Sequence, residues 1–467
     1  MISLEHGDIQ DILIGYPHYP RARYLFLRLE RAPKARDWLA RITSRVTTAD
    51  RQRASGSSAL NVGLSWTGLA ALGVAEETLH SFPEEFRVGM AGRAEHLGDI
   101  NANHREHCGN HPEHWEPDGP GTTEIHAVVI VHAGTESELD EQCRWVGDSL
   151  VALGEIVSLQ DGNRLQGDGP SPVGKNQDKP LTREHFGFVD GISQPIIEGL
   201  RKGNAAELLP GQGVRQPDGS WRPLRAGEII LGYPDEENVQ AAGPTPPALA
   251  RNGSYLVYRK LHQDVAAFRR LKADQGKHYP EGPDALTAKM MGRHPDGTPL
   301  TGSGLTRSGG GHVAAFTYAD DLDGRHCPIG AHIRRANPRD GFASRDKIVH
   351  RHRMLRRGIP YGPPLPDGAL DDDGQERGLL FVCLCASIAR QFEFVQGQWF
   401  NDGNSLGLGN DQDPLLGNEY PGTNLTISGA RPWFLSPIPP LVTVRGGEYF
   451  FLPGRRALAH LAGCSVH

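Results

Sequence analysis

The chain has 467 residues, with 49 Lys and Arg against 56 Asp and Glu and a formal charge of −7. That balance speaks against nucleic acid or an anionic membrane surface as the main partner, and the length allows two or three domains of about 150 residues. Gly and Pro, 58 and 35, fill a fifth of the chain, but no G-X-Y period accompanies them and 38% of residues are apolar. Collagen and wholesale disorder are thereby excluded, and long ordered loops around a core are expected.

Tyr24-Leu25-Phe26-Leu27-Arg28-Leu29 reads as a strand, and Trp38, Leu39, Ile42 and Val46 then share one helical face. Asn61 to Trp66 is a second short strand, leading into a turn of helix. Ile125 to Val131, mostly β-branched, is the clearest strand, and Leu139, Cys143, Val146, Leu150 and Leu153 form a helical stripe after it. Glu155 to Leu159 can close the unit, giving β-α-β-β-α-β, the ferredoxin-like order.

The second half repeats the pattern. Tyr255 to Leu261 resembles Tyr24 to Glu30, 231 residues earlier, and a helix through Val265, Phe268 and Leu271 follows. Leu379 to Leu384 and a helix from Ser387 to Trp399 mirror the strand and helix of 125–153. The expected fold is α+β, two tandem ferredoxin-like modules over 1–225 and 226–467. Between the elements, 95–123, 160–186, 202–253, 274–316 and 402–440 read as long loops.

Six cysteines, at 108, 143, 327, 383, 385 and 464, form no Cys-x-x-Cys pair, the usage of a reducing compartment. The opening MISLEHGDIQDILIGYP lacks a basic region followed by an apolar one, and no run of about 18 apolar residues exists to span a membrane. The expectation is a soluble cytoplasmic protein.

Three segments carry groups suited to chemistry. Phe186-Gly-Phe-Val-Asp190-Gly-Ile-Ser-Gln-Pro195 sets an aspartate between glycines and aromatics, and on composition alone it reads as a β-turn. His326-Cys-Pro-Ile-Gly-Ala-His332-Ile-Arg-Arg-Ala-Asn-Pro-Arg339 offers metal-ligating side chains without the second pair that a zinc site wants. A lone histidine there suits one axial bond to haem iron, or a purely structural place. From Ala331 to Arg357 nine Lys and Arg meet two Asp, which is either a solvated face or a pocket for an anionic group.

Taken together, these segments resemble the dye-decolourising peroxidase family. The match lies in Gly-x-x-Asp-Gly (187–191), Cys-Pro-x-Gly-Ala-His-Ile-Arg-Arg-x-Asn-Pro-Arg (327–339) and Arg-x-Gly-Ile-Pro-Tyr-Gly (356–362). Asp8-Ile9-Gln10, Gly227 to Tyr233, Leu379 to Val382 and Phe394 to Trp399 fit as well, so the resemblance covers nearly the whole chain. It implies a dimeric α+β barrel type of fold with haem b (iron protoporphyrin IX) bound mainly by the second module. It further implies His332 as axial iron ligand, Asp190 as distal acid and Arg356 as distal cation. Arg339, Leu379 and Phe381 are expected to contact haem, the last two on its distal side. Asp413 is the candidate carboxylate for the second ring nitrogen of His332.

The implied reaction is reduction of hydrogen peroxide with one-electron oxidation of dyes, phenols or other aromatic reductants through a ferryl intermediate. Mn²⁺ is a further candidate partner, although no carboxylate cluster marks a site for it; monomer and homo-oligomer are both open. The lack of an export signal and the long loops look like the bacterial cytoplasmic branch. A haem carrier or sensor would need His332 but not both Asp190 and Arg356. A metal-dependent hydrolase would need His326 beside His332. Cys327, Cys383 and Cys385 read as packing residues.

Overall fold

Strands buried on both faces organise the molecule. The computed structural model describes residues 3–16, 18–50, 58–100, 109–170, 180–200, 208, 210–301, 315–342, 346–418 and 422–463; Cys108 and Cys464 lie outside them. In β1 (Arg21–Leu29), Tyr24 and Phe26 point into one core and Leu25 and Leu27 into another. A strand covered on both sides reads as an unbroken apolar run. After β1 come α1 (Lys34–Thr43), β2 (Ser58–Leu64) and three short helices, α2 (Trp66–Ala71), α3 (Glu76–His80) and α4 (Glu84–Gly92). Next are β3 (Ala127–Ala133), α5 (Glu136–Ser149) and β4 (Gly154–Asn163). A capping box starts α5: the Thr135 hydroxyl accepts from the Glu138 N–H, and the Glu138 carboxylate accepts from the Thr135 N–H.

A hairpin of β5 (Leu165–Pro170) and β6 (Pro180–Arg183), a ribbon of β7 (Val214–Arg215) and β8 (Trp221–Arg222), and α6 (Pro247–Ala250) bridge to the second module. That module begins with β9 (Ser254–Gln263), α7 (Val265–Gly276), α8 (Pro283–Met291), α9 (His332–Ala336) and α10 (Asp346–His350). It continues through β10 (Leu355–Arg356), β11 (Ile359–Tyr361) and β12 (Gly378–Cys385). A π-type helix follows (Ala389–Glu393 and Val395–Phe400), then the hairpin β13 (Thr423–Ile427) and β14 (Trp433–Ile438), and finally β15 (Val442–Leu452).

Several segments expected as loops therefore carry structure: 160–186 holds β5 and β6, 202–253 the small ribbon and α6, 274–316 the helix α8, and 402–440 the hairpin β13–β14. Most of these elements are too short for a hydrophobic period to show, and their Gly and Pro mark the turns between them. The helix expected over 387–399 is present but wound wider. Glu393 and Asn401 donate to carbonyls five residues back, at Ile388 and Gln396. Such winding is rare and gathers at functional sites.

The main sheet runs β4-β1-β3-β2-β15-β9-β12-β10, with β11 also paired to β12. Each half repeats the ferredoxin-like order: the fourth strand of the unit lies beside the first, then come the third and the second. The halves join where Phe451 of β15 stands opposite Leu64 of β2. At the far ends β4 and β11 touch, and a Cβ on Gly162 would overlap Cγ2 of Ile359. The sheet thus closes into a barrel filled by Tyr24, Phe26, Val128, Leu256, Leu380 and Phe450. Outside it, helices α1 and α5 pack Trp38, Leu39, Ile42, Leu139 and Val146 on the first module.

Candidate active site

On the second module the outward residues of β9 and β12 do not meet a simple helix layer. Arg259 stands opposite Phe381, and Leu379 opposite Leu261, in antiparallel register. All four face a cavity walled mainly by apolar side chains, the kind of site that takes a small-molecule ligand or cofactor. The π-type helix lends Phe392, Val395 and Phe400 to the wall, and α9 lends His332.

His332 opens α9, so its side chain projects from the start of a helix into the cavity. Its Nδ1 lies 3.1 and 3.0 Å from the two carboxylate oxygens of Asp413, which is fully buried. Asp413 also accepts from the N–H groups of Leu415 and Leu416, each at 2.9 Å. Burial alone would push this carboxyl up; His332, the Leu416 N–H and Arg335 outweigh it and hold Asp413 below the usual carboxylate range. The imidazole is thereby oriented and its Nε2 left for another bond.

Asp190 reaches the same cavity from the turn after β6. Its N–H donates to the Thr182 carbonyl at 3.1 Å, and its Oδ1 accepts from the Gly191 N–H at 2.6 Å. Gly187 and Gly191 both have positive φ, 95° and 76°, a backbone region that glycine enters without strain. Arg356 of β10 is pinned to that same turn: its N–H donates to Gln194 Oε1 at 3.0 Å and its Nη2 to the Ile192 carbonyl at 3.1 Å. Residues 166 positions apart in sequence thus share one support.

Around them lie further guanidiniums. Arg293 and Arg339 both donate to Ser193 Oγ, at 2.7 and 3.3 Å, and both stack on Phe316. Burial pulls Arg293 down to about 9 and Arg339 to about 10, and burial with Arg339 and Arg356 nearby pulls Arg353 to about 9. Such a cluster gains from an anion. The donor set matches haem: one carboxylate-backed imidazole for iron, several cations for the propionates, and apolar walls from Leu379, Phe381 and Leu415.

Each residue that the family resemblance assigned to the site, Asp190, His332, Arg339, Arg356, Leu379 and Phe381, lines this cavity, with Asp413 behind His332. His326 does not: it is exposed, and its N–H donates to Asp321. A hydrolase site built from His326 and His332 therefore has no place here. No group of three or more His, Cys, Asp or Glu able to hold a metal ion is present among the described residues. Arg293, Arg353, Gln194 and Glu184 were not anticipated; only the basicity of 331–357 pointed toward Arg353.

Residues 8–164 match the DyP dimeric alpha+beta barrel domain, and residues 234–410 match the Dyp-type peroxidase C-terminal domain. The chain is 30% identical to dye-decolorizing peroxidase msp1 of Mycetinis scorodonius, over 98% of this chain and 87% of that one. It is 31% identical to the multifunctional dye peroxidase DyP2 of an Amycolatopsis species, over 94% and 92%. The chain belongs to the dye-decolourising peroxidase family. A solved dye-decolorizing peroxidase in complex with 2,6-dimethoxyphenol superposes with a TM-score of 0.78 at 27% identity, covering 98% of this chain and 100% of that one. Haem is the cofactor of this family, and the cavity residues suit it.

Proposed function

We propose that this family member reduces hydrogen peroxide with Asp190 as the proton carrier and Arg356 as the fixed cation, on a haem b ligated by His332. The observation that carries the reading is the convergence on one cavity of the His332–Asp413 pair and a turn that holds both Asp190 and Arg356. Haem, when bound, supplies an iron that takes two oxidising equivalents from peroxide and passes them on singly. The chain's own residues handle the proton and the charge. Gly191 holds Oδ1 of Asp190, which leaves Oδ2 to take a proton from one peroxide oxygen and return it to the other. Positioned acid–base groups contribute roughly 10²–10⁴-fold. The Arg356 guanidinium stabilises the negative charge that grows as the O–O bond lengthens.

Arg293, Arg339 and Arg353 would hold the propionates, and the two-propionate porphyrin of haem b fits that number of cations. Aromatic reductants of the dimethoxyphenol type are the proposed electron donors, in keeping with the solved relative. Cytoplasmic residence and membership of the bacterial branch rest on cysteine usage and loop length.

The test is the reaction of haem-loaded protein with peroxide, followed by stopped-flow absorbance from pH 3.5 to 8. Asp190→Asn keeps the volume and removes the proton acceptor, so it should slow the reaction roughly 10²-fold or more and flatten the acid limb. Arg356→Leu should lower the whole curve without flattening it, because it removes a positive charge and no proton acceptor. Wild-type rates in both variants would refute the assignment.

A further inference from the structure

A second carboxylate lies six residues before Asp190 and takes part in neither iron ligation nor peroxide cleavage as assigned above. Glu184 lines the same cavity. Its Oε2 accepts from the Phe186 N–H at 2.9 Å and its Oε1 from the Phe188 N–H at 2.8 Å, while its own N–H donates to the Phe188 carbonyl at 3.0 Å. The side chain therefore closes the turn from which Val189 and Asp190 emerge. The rings of that turn are pinned from outside. Phe186 stacks on Phe268 of α7 with centroids 4.5 Å apart, and Phe188 meets the same ring edge-on at 6.3 Å.

From β9, Gln263 brings its Nε2 to 2.6 Å from Glu184 Oε2. Gln263 is buried, and its Oε1 has no hydrogen-bond partner among the described residues. A buried orphan acceptor calls for a reason. Here an amide faces an acid, and the amide has one end for each protonation state. Nε2 donates to the ionised carboxylate; turned over, Oε1 accepts from the protonated one.

Burial pushes the Glu184 carboxyl up to about 7, against the pull of the Phe186 N–H, Gln263 and the Phe188 N–H, and the charge of Asp190 adds to the rise. The other charged groups nearby are engaged elsewhere. Arg183 donates to the carbonyls of Gly187 and Pro295, and His185 shares a hydrogen bond with the Tyr361 carbonyl of β11. On β9, Arg259 pairs with Asp99 and His262 with Glu376. Across the cavity stand Arg293, Arg339, Arg353 and Arg356.

We propose that Glu184 is a positioning residue for Asp190: it fixes the turn that presents Asp190, and its charge, exchanged against the Gln263 amide, sets how readily Asp190 takes and releases the peroxide proton. The inference rests on the proton-carrying role of Asp190. With Glu184 ionised, the turn is held by charge-assisted bonds and Asp190 becomes the stronger base; with Glu184 neutral, both effects weaken.

The test uses haem-loaded wild type, Glu184→Gln, Gln263→Leu and Asp190→Asn, in two measurements against pH from 5 to 9: rate of peroxide reaction and midpoint of unfolding. Wild type should show a rate inflexion near neutrality, on the order of threefold or more. Glu184→Gln should lack it. Gln263→Leu, which removes a donor to the ionised carboxylate, should move it to higher pH. Because the folded carboxyl titrates above its unfolded value, stability is lost as pH rises, so the wild-type midpoint should fall relative to Glu184→Gln between pH 5 and 8. An inflexion that persists unmoved in Glu184→Gln overturns the proposal. Should that variant fail to take up haem, an unmoved inflexion in Gln263→Leu overturns it instead. Wild-type behaviour of Asp190→Asn would strike the Asp190 reading, which is a separate failure.

Discussion

The two nitrogens of His332 have different tasks. Nδ1 is committed to Asp413, which leaves Nε2 for the proposed bond to haem iron, and a carboxylate behind the ring would make it a stronger donor. His332→Ala should abolish the Soret band after haem loading, whereas His326→Ala, at an exposed position outside the cavity, should keep it. Asp413→Asn should weaken haem binding by roughly 10–100-fold in a spectroscopic titration, since its amide cannot serve His332 and the Leu415 and Leu416 N–H groups together. Loss of the band in His326→Ala with retention in His332→Ala would make the ligand assignment wrong. His332, Asp190 and Arg356 could be singled out from sequence because each sits in a short motif that resembles the family's; composition alone left a β-turn, a structural histidine and a solvated basic face as the readings. Gln194 and Arg293 could not. Gln194 acts on Arg356 from 162 residues away and Arg293 on Ser193 from 100, and only the closed fold makes those pairs neighbours.

Strands of β-branched and aromatic residues announce themselves; contacts between strands distant in sequence do not. β1, β3, β9 and β12 were legible as apolar runs, and the likeness of Tyr24–Glu30 to Tyr255–Leu261 revealed that the module repeats. Barrel closure left no such mark, because the glycine at the β4–β11 contact carries no hydrophobic period. Gly162 of β4 lies so close to Ile359 of β11 that any side chain there must displace it. Gly162→Ala should therefore destabilise the protein by about 1–3 kcal/mol, the usual range for overpacking. In an Ile359→Ala background the same change should cost less than about 0.5 kcal/mol, a non-additivity expected of residues in contact. Denaturant unfolding of the four proteins in that cycle gives the coupling directly. Additive effects would mean that β4 and β11 do not close the barrel through this pair.

Closing one barrel from two modules buries titratable groups of both signs, and their opposing preferences shape stability across the whole molecule. Burial lowers His132 to about 3, with Arg164 and Arg357 adding to it, and His185 and His350 to about 4. These histidines bind protons in the unfolded chain below about 6.5, so their contribution is present above that value and is lost as pH falls toward the folded values. Burial raises Asp99 to about 6, despite Arg259, and Glu184 and Glu228 to about 7. Their contribution runs the other way: it is present below the unfolded carboxylate values near about 4 and is lost as pH rises through 6 to 7. Between about 4.5 and 6.5 the two sets oppose each other at up to ~1.4 kcal/mol per group per pH unit and largely cancel. Below that window the histidines still change, joined by carboxyls held low such as Asp413, whose contribution is lost as pH falls; above it, of these two sets, only the acids change. Unfolding midpoints of the haem-loaded protein from pH 3.5 to 8.5 should therefore trace a plateau that falls away on both sides. Glu228→Gln should reduce the alkaline decline and leave the acid one in place. Stability that climbs steadily to pH 8 would show that these carboxyls ionise in the fold as easily as they do in water.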